Sequence, residues 1–195
     1  MLKLPNIIRL SLALVACFCL AASADVKVGE KAPDFAVKGL DGKSIPLKSL
    51  QGKAVVLEWI NDGCPFVRGQ YDSGKMQALQ KKYAKDVVWI WVASSAPGKQ
   101  GYHSAAEWKD LVKREKASPA HVVMDPDGKI GRLYGAKTTP HMFVIDKSGT
   151  LVYQGAIDDK KEKNYVDAAL KALAAGEKIA VTTTKAYGCA VKYKE

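Results

Sequence analysis

The chain is 195 residues long, 48% hydrophobic and 26% charged, with a formal net charge of +10; that length and mixture fit one globular domain with a proper core. Its basic residues are scattered among acids, as in Lys109-Asp110 and Asp158 to Lys163, and no dense basic block interleaves with aromatics. A nucleic-acid partner is therefore excluded, while weak attraction to an acidic partner or an anionic membrane surface stays open.

Lys3 and Arg9 precede the apolar run Leu10 to Leu20, and Ala22-Ser23-Ala24 follows as a small-residue cleavage site. This is the pattern of a secretory signal peptide over residues 1–24, too short for a spanning helix. The mature chain then begins near Asp25, carries a charge of +8 once Lys3 and Arg9 are gone, keeps no membrane-spanning segment, and is expected in the periplasm or outside the cell. A lesser alternative reads Leu14-Val15-Ala16-Cys17 as a lipoprotein box with Cys17 as a lipid anchor. Cleavage after Ala24 removes Cys17 and Cys19 and leaves Cys64 and Cys189, 189 − 64 = 125 residues apart. In an exported protein two thiols are a potential disulfide, which here only the fold could close.

Residues 26–49 read as a short-stranded lead-in, with Asp41-Gly42-Lys43 marking a small hairpin. The apolar run Ala54 to Ile60 has the look of a strand buried on both faces, and Asn61-Asp62-Gly63 ends it as a turn. Pro65 suits a first helical position, where its missing N–H costs little. Cys64 is thus placed at a helix mouth, where unpaired N–H groups and the helix dipole favour an anion, and a thiol there ionises more easily than a free one. The plain alternative is a buried, inert cysteine. The helix after Pro65 is expected to bury Val67, Tyr71, Met76, Leu79 and Tyr83 and to break near Ser73-Gly74. Glu58 interrupts the apolar strand, and a buried carboxylate is costly unless used or paired; it either handles protons or pairs with a lysine at the sheet margin.

Val87 to Ala93 reads as a second buried strand, Ala105 to Lys116 as an amphipathic helix, His121 to Met124 as a short strand closed by the turn Asp125 to Gly128, and Ile130 to Tyr134 as a short helix. Met142 to Ile145 and Leu151 to Tyr153 flank the hairpin signal Lys147-Ser148-Gly149. Asn164 to Ala175 is a helix with Tyr165, Ala169, Leu170 and Leu173 inward, stopped at Gly176. This order predicts an α/β layer fold with a mixed sheet in a domain over residues 25–176. Residues 177–195 follow as an extended tail carrying Cys189, and Gly188 lets its backbone bend close to another surface.

Ala32-Pro33-Asp34-Phe35, Gly52-Lys53, the segment Ala54 to Tyr71, and Thr139-Pro140 leading into the strand His141 to Asp146 together resemble the thioredoxin superfamily on its peroxiredoxin-like, or redoxin, side. The resemblance runs from about Gly29 to Gly176. It implies a thioredoxin-like fold, with a mixed central sheet flanked by helices. It also implies thiol–disulfide exchange on protein disulfides or oxidised thiols, with an external thiol as reductant and no cofactor. It makes Cys64 the nucleophile, places Glu58 where many thioredoxins carry a buried acid, makes Thr139-Pro140 a cis-proline loop facing Cys64, and lets Thr139 offer backbone hydrogen bonds to a substrate strand. Two departures matter. Val67 stands where a thioredoxin has its second cysteine, so any resolving thiol comes from elsewhere, with Cys189 the candidate. Asn61 stands where a peroxiredoxin has the threonine that orients peroxide, which weakens the alternative of a thiol peroxidase. Arg68 is read as a thiolate stabiliser or a solvent-facing side chain, and His141 as a satisfied strand-end histidine or an acid/base group. A rival of another class is a copper(I) chaperone using Cys64, His141 and Cys189 as a soft donor set. A partner-binding module without turnover is a further one.

Overall fold

The computed structural model describes residues 26–195; the leader read at residues 1–24, with Cys17, lies outside them. Two apolar runs, the first interrupted only by Glu58, make the centre. Strand β3 (Ala54–Trp59) is buried at every position, as its continuous pattern predicts, and lies parallel to β4 (Val87–Ala93), which lies parallel to β5 (His121–Met124). On the other side of β3, β7 (His141–Ile145) runs antiparallel and pairs in turn with β8 (Leu151–Gly155), giving the order β5-β4-β3-β7-β8. An outlying hairpin, β1 (Ala36–Lys38) with β2 (Ser44–Pro46), precedes this sheet. The thioredoxin-like arrangement expected from the resemblance is the one present.

Alternation along the strands divides the core in two. Val56, Ile60, Trp89, Trp91, Met142, Val144 and Tyr153 face one layer, and Val55, Leu57, Trp59, Val88, Ile90 and Phe143 face the other. The first layer is covered by α1 (Pro65–Asp72), α2 (Lys75–Tyr83), α3 (Ala105–Arg114) and α5 (Tyr165–Ala175). The break between α1 and α2 falls at Gly74, whose φ of 73° is left-handed. α3 starts with a full capping box, Ser104 with Glu107. The second layer is closed by α4 (Lys129–Leu133), Tyr134 and the lead-in residues Phe35 and Leu47. In α5 the inward set differs from expectation: Val166, Ala169 and Leu170 are buried, while Tyr165 and Leu173 lie at the margin. Among the described residues no helix is long and apolar enough to cross a membrane.

The tail does not hang free. It joins the outer edge of β8, where Gln154 N–H donates to the Thr182 carbonyl at 3.0 Å and Thr184 N–H to the Gln154 carbonyl at 3.1 Å. It then crosses one end of the sheet, where β9 (Cys189–Ala190) pairs antiparallel with β6 (Thr138–Thr139). Beyond it, Ala96 N–H donates to the Lys192 carbonyl at 2.8 Å, and the Tyr193 hydroxyl to the Ala136 carbonyl at 2.7 Å.

Candidate active site

Cys64 owes its place to the turn that ends β3. Gly63 N–H donates to the Asn61 side-chain oxygen at 2.9 Å and Cys64 N–H to the Asn61 carbonyl at 3.0 Å. Cys64 is the N-cap of α1 with extended backbone, Pro65 opens the helix, and Arg68 N–H closes its first turn on the Cys64 carbonyl at 2.9 Å. The side chain turns inward and is 0% exposed. Its thiol donates to the backbone carbonyl of Thr139 at 3.0 Å. The Thr139–Pro140 bond is cis, as the resemblance implied.

The β6–β9 pair sets Cys189 directly opposite Thr139. This approach needs glycine next to it: Gly188 has φ of 136°, and a Cβ built there would overlap the Thr139 carbonyl oxygen. Two thiols 125 residues apart in sequence therefore meet at one spot. Both are free, and each alters the other. Burial opposes ionisation of Cys64, but hydrogen bonds from the Cys189 thiol, the backbone N–H groups of Val67 and Cys189, and the Thr139 side chain win, and its pKa lies below the ordinary thiol value. Cys189 is pushed up to about 11, chiefly by its hydrogen bond to Cys64, then by burial and the Cys64 charge, against a small opposing pull from Lys192. Of the two thiols, Cys64 is the more acidic and Cys189 the one that holds its proton more firmly. The Thr139 hydroxyl is buried and bonds no oxygen or nitrogen among the described residues, which leaves its proton for the Cys64 sulfur when that is charged.

Glu58 is fully buried, and its cage is aromatic rather than lysine. The Tyr71 hydroxyl donates to both carboxylate oxygens at 2.9 and 3.0 Å, Trp89 Nε1 donates at 2.7 Å and Trp91 Nε1 at 3.1 Å. Burial outweighs these donors and lifts its pKa to about 7. None of these hydrogen bonds reaches a sulfur, so a direct proton transfer between Glu58 and either thiol has no bond to run along.

The remaining expected residues divide. Asn61 is buried with its amide on the Gln100 carbonyl at 3.2 Å, and it shapes the Cys64 turn without bonding the thiol. Arg68 points to solvent and pairs with Asp72 at 3.9 Å, which matches the solvent-facing alternative. His141 accepts from Lys137 N–H through Nδ1 at 3.3 Å and packs on the Phe143 ring at 4.5 Å; burial first, then the Lys137 charge, lowers its pKa to about 4. It is a neutral strand-end histidine. Among the described residues no three His, Cys, Asp or Glu side chains cluster as a metal site, so the copper(I) set is not assembled.

The sequence reading missed a clasp beside the thiols. The Tyr187 hydroxyl donates to Asp158, Gln70 donates to the same carboxylate at 2.8 Å, and the Tyr187 ring meets Phe66 edge-on at 5.7 Å. Lys160 lies over both rings, 4.3 and 5.0 Å from their centroids. The one sequence signal was a tyrosine two residues before Cys189.

Comparison with known proteins agrees with the fold. Residues 27–170 match the Redoxin family. The thiol-disulfide oxidoreductase ResA of Bacillus anthracis is 31% identical over 138 residues, which cover 71% of this chain and 75% of that protein. The crystal structure of the exposed lipoprotein thioredoxin Etrx1 of Streptococcus pneumoniae superposes with a TM-score of 0.55 at 29% identity, over 73% of this chain and 99% of that one. A conserved, uncharacterised protein of Geobacillus kaustophilus superposes with a TM-score of 0.77 at 25% identity, over 86% and 93%.

Proposed function

The chain belongs to the Redoxin family, and from that premise we propose that it is a thiol–disulfide oxidoreductase whose redox couple is Cys64 with Cys189. The observation that carries the reading is their meeting across β6 and β9, supported by Cys64 being the more acidic of the two. In one cycle a substrate disulfide takes two electrons and two protons from the dithiol, leaving as two thiols while a Cys64–Cys189 disulfide forms. An external thiol reductant then restores the dithiol. This arrangement supplies the second sulfur that Val67 does not. The ResA and Etrx1 likenesses support the disulfide substrate class, and the leader pattern supports action outside the cytoplasm.

The test is peptide mapping after mild oxidation, alongside insulin reduction driven by dithiothreitol. A Cys64–Cys189 link is expected, with activity abolished in both Cys64→Ser and Cys189→Ser. Two free thiols in the oxidised protein, or full activity in either variant, would remove the proposal.

A further inference from the structure

We propose that Cys189, not Cys64, is the sulfur that exchanges with the external partner, and that Cys64 works inside the protein as leaving and resolving sulfur. This rests on the Cys64–Cys189 couple proposed above and assigns direction within it. It replaces the order suggested by sequence, in which Cys64 attacks the substrate directly.

The argument starts from access. Cys64 is wholly shielded: it lies under buried Thr139, which is itself covered by β9. A partner could touch that sulfur only after β9 had been peeled from β6. Cys189 is only partly buried: it packs on the edge of the core between Gly188 and Ala190, with its thiol toward Cys64 and the rest of the residue at the surface. Beside it stand Phe66, 43% exposed, the Tyr187 ring and the Lys160 amine over both. A partner that approaches the partly exposed Cys189 meets this rim, whereas Cys64 has no exposed surface at all.

The chemistry runs the same way. In the oxidised protein the thiolate of a reducing dithiol attacks Cys189 Sγ. The new bond is reductant sulfur to Cys189 sulfur, the bond that breaks is Cys189 to Cys64, and Cys64 leaves with the electron pair as a thiolate. Exchange is faster when the departing sulfur has the lower pKa, and the fold holds Cys64 as the more acidic of the two. The second thiolate of the reductant then attacks its own bridged sulfur and expels Cys189, which takes a proton from water. The reductant ends as a disulfide and the protein as a dithiol. In the reverse sequence Cys189 first gives its proton to water; its thiolate then attacks the substrate disulfide and expels one substrate sulfur, which takes up a proton, and the Cys64 thiolate attacks Cys189 Sγ and expels the second substrate sulfur.

Glutathione serves as the probe. The protein is oxidised and its Cys64–Cys189 link verified by mapping, then mixed with glutathione, quenched with acid at a series of short times, alkylated and mapped again. Extrapolated to the earliest time, the glutathione adduct is expected on Cys189 and the alkyl label on Cys64, by about tenfold or more over the reverse pattern if access and leaving group both act. An initial adduct on Cys64 overturns the proposal and leaves the redox couple standing. Failure to form the link at the first step instead overturns the couple, and this inference with it. As a second measurement, oxidised glutathione should modify Cys189 in Cys64→Ser faster than Cys64 in Cys189→Ser; the opposite ranking also overturns the assignment.

Discussion

Thr139 serves the site through three of its groups. Its carbonyl accepts from the Cys64 thiol, its backbone pairs with Cys189, and its buried hydroxyl has no other conventional partner among the described residues. A hydroxyl in that position is neutral toward a thiol and favourable toward a thiolate, because it can donate once the sulfur is charged. Thr139→Val keeps the branched shape and the β6–β9 pairing but removes the donor. A hydrogen bond to a charged group contributes roughly 1.5–3 kcal/mol, so the Cys64 pKa should rise by about one to two units. The measurement is thiolate absorbance against pH in a Cys189→Ser background, which isolates the Cys64 titration. An unchanged midpoint would mean that the helix mouth alone sets the acidity. Both readings of His141 were open in the sequence, and its Phe143 and Lys137 contacts select the structural one.

At the scale of elements, the strap formed by the tail decides what reaches the site, and Gly188 decides whether the strap closes. In Gly188→Ala a Cβ would meet the Thr139 carbonyl, and a φ of 136° is one that alanine rarely adopts. β9 should detach from β6 while the five-stranded sheet, which does not include β9, stays folded. The expected outcome is slower closure of the Cys64–Cys189 disulfide and faster alkylation of Cys64 by iodoacetamide. Wild-type rates in both assays would show that β9 is not what covers the thiol. The sheet strands and helices were legible in the sequence because long apolar runs and Gly or Pro punctuation mark them, as with Ala54 to Ile60 before Cys64-Pro65 and with the break at Gly74. The path of the strap was not legible. It is held by backbone bonds to Gln154, Lys137 and Ala96 and by the hydroxyls of Tyr187 and Tyr193, none of which leaves a periodic pattern. The cage of Glu58 was hidden for a related reason: it depends on the β3–β4 register, which sets Glu58 opposite Trp91 and within reach of Trp89.

For the molecule as a whole, the burial of Glu58 makes stability depend on pH in a direction opposite to most carboxylates. The Glu58 pKa rises from 4.5 to about 7 on folding, with burial as the main cause and the Trp89, Tyr71 and Trp91 hydrogen bonds opposing it. Between those two values the native protein keeps a proton that the unfolded chain has released. The unfolded state then binds fewer protons, so stability falls as pH rises through this window. Below about 4.5 both states are protonated and above about 7 both are ionised, so the slope from this residue vanishes outside the window. With 1.36 kcal/mol for each unit, the loss attributable to Glu58 is on the order of 3 kcal/mol. Glu58→Gln carries no such titration, and its amide can still accept from the indoles while the Tyr71 hydroxyl accepts in return. The comparison is urea unfolding of the reduced wild type and Glu58→Gln at pH 4.5, 6 and 7.5, because the contributions of all other groups cancel in the difference between them. The variant should gain on the wild type as pH rises, with most of the gain between pH 4.5 and 7. A difference that stays constant across the three values would show that Glu58 is already ionised in the folded protein at acid pH, with the three aromatic donors overcoming its burial.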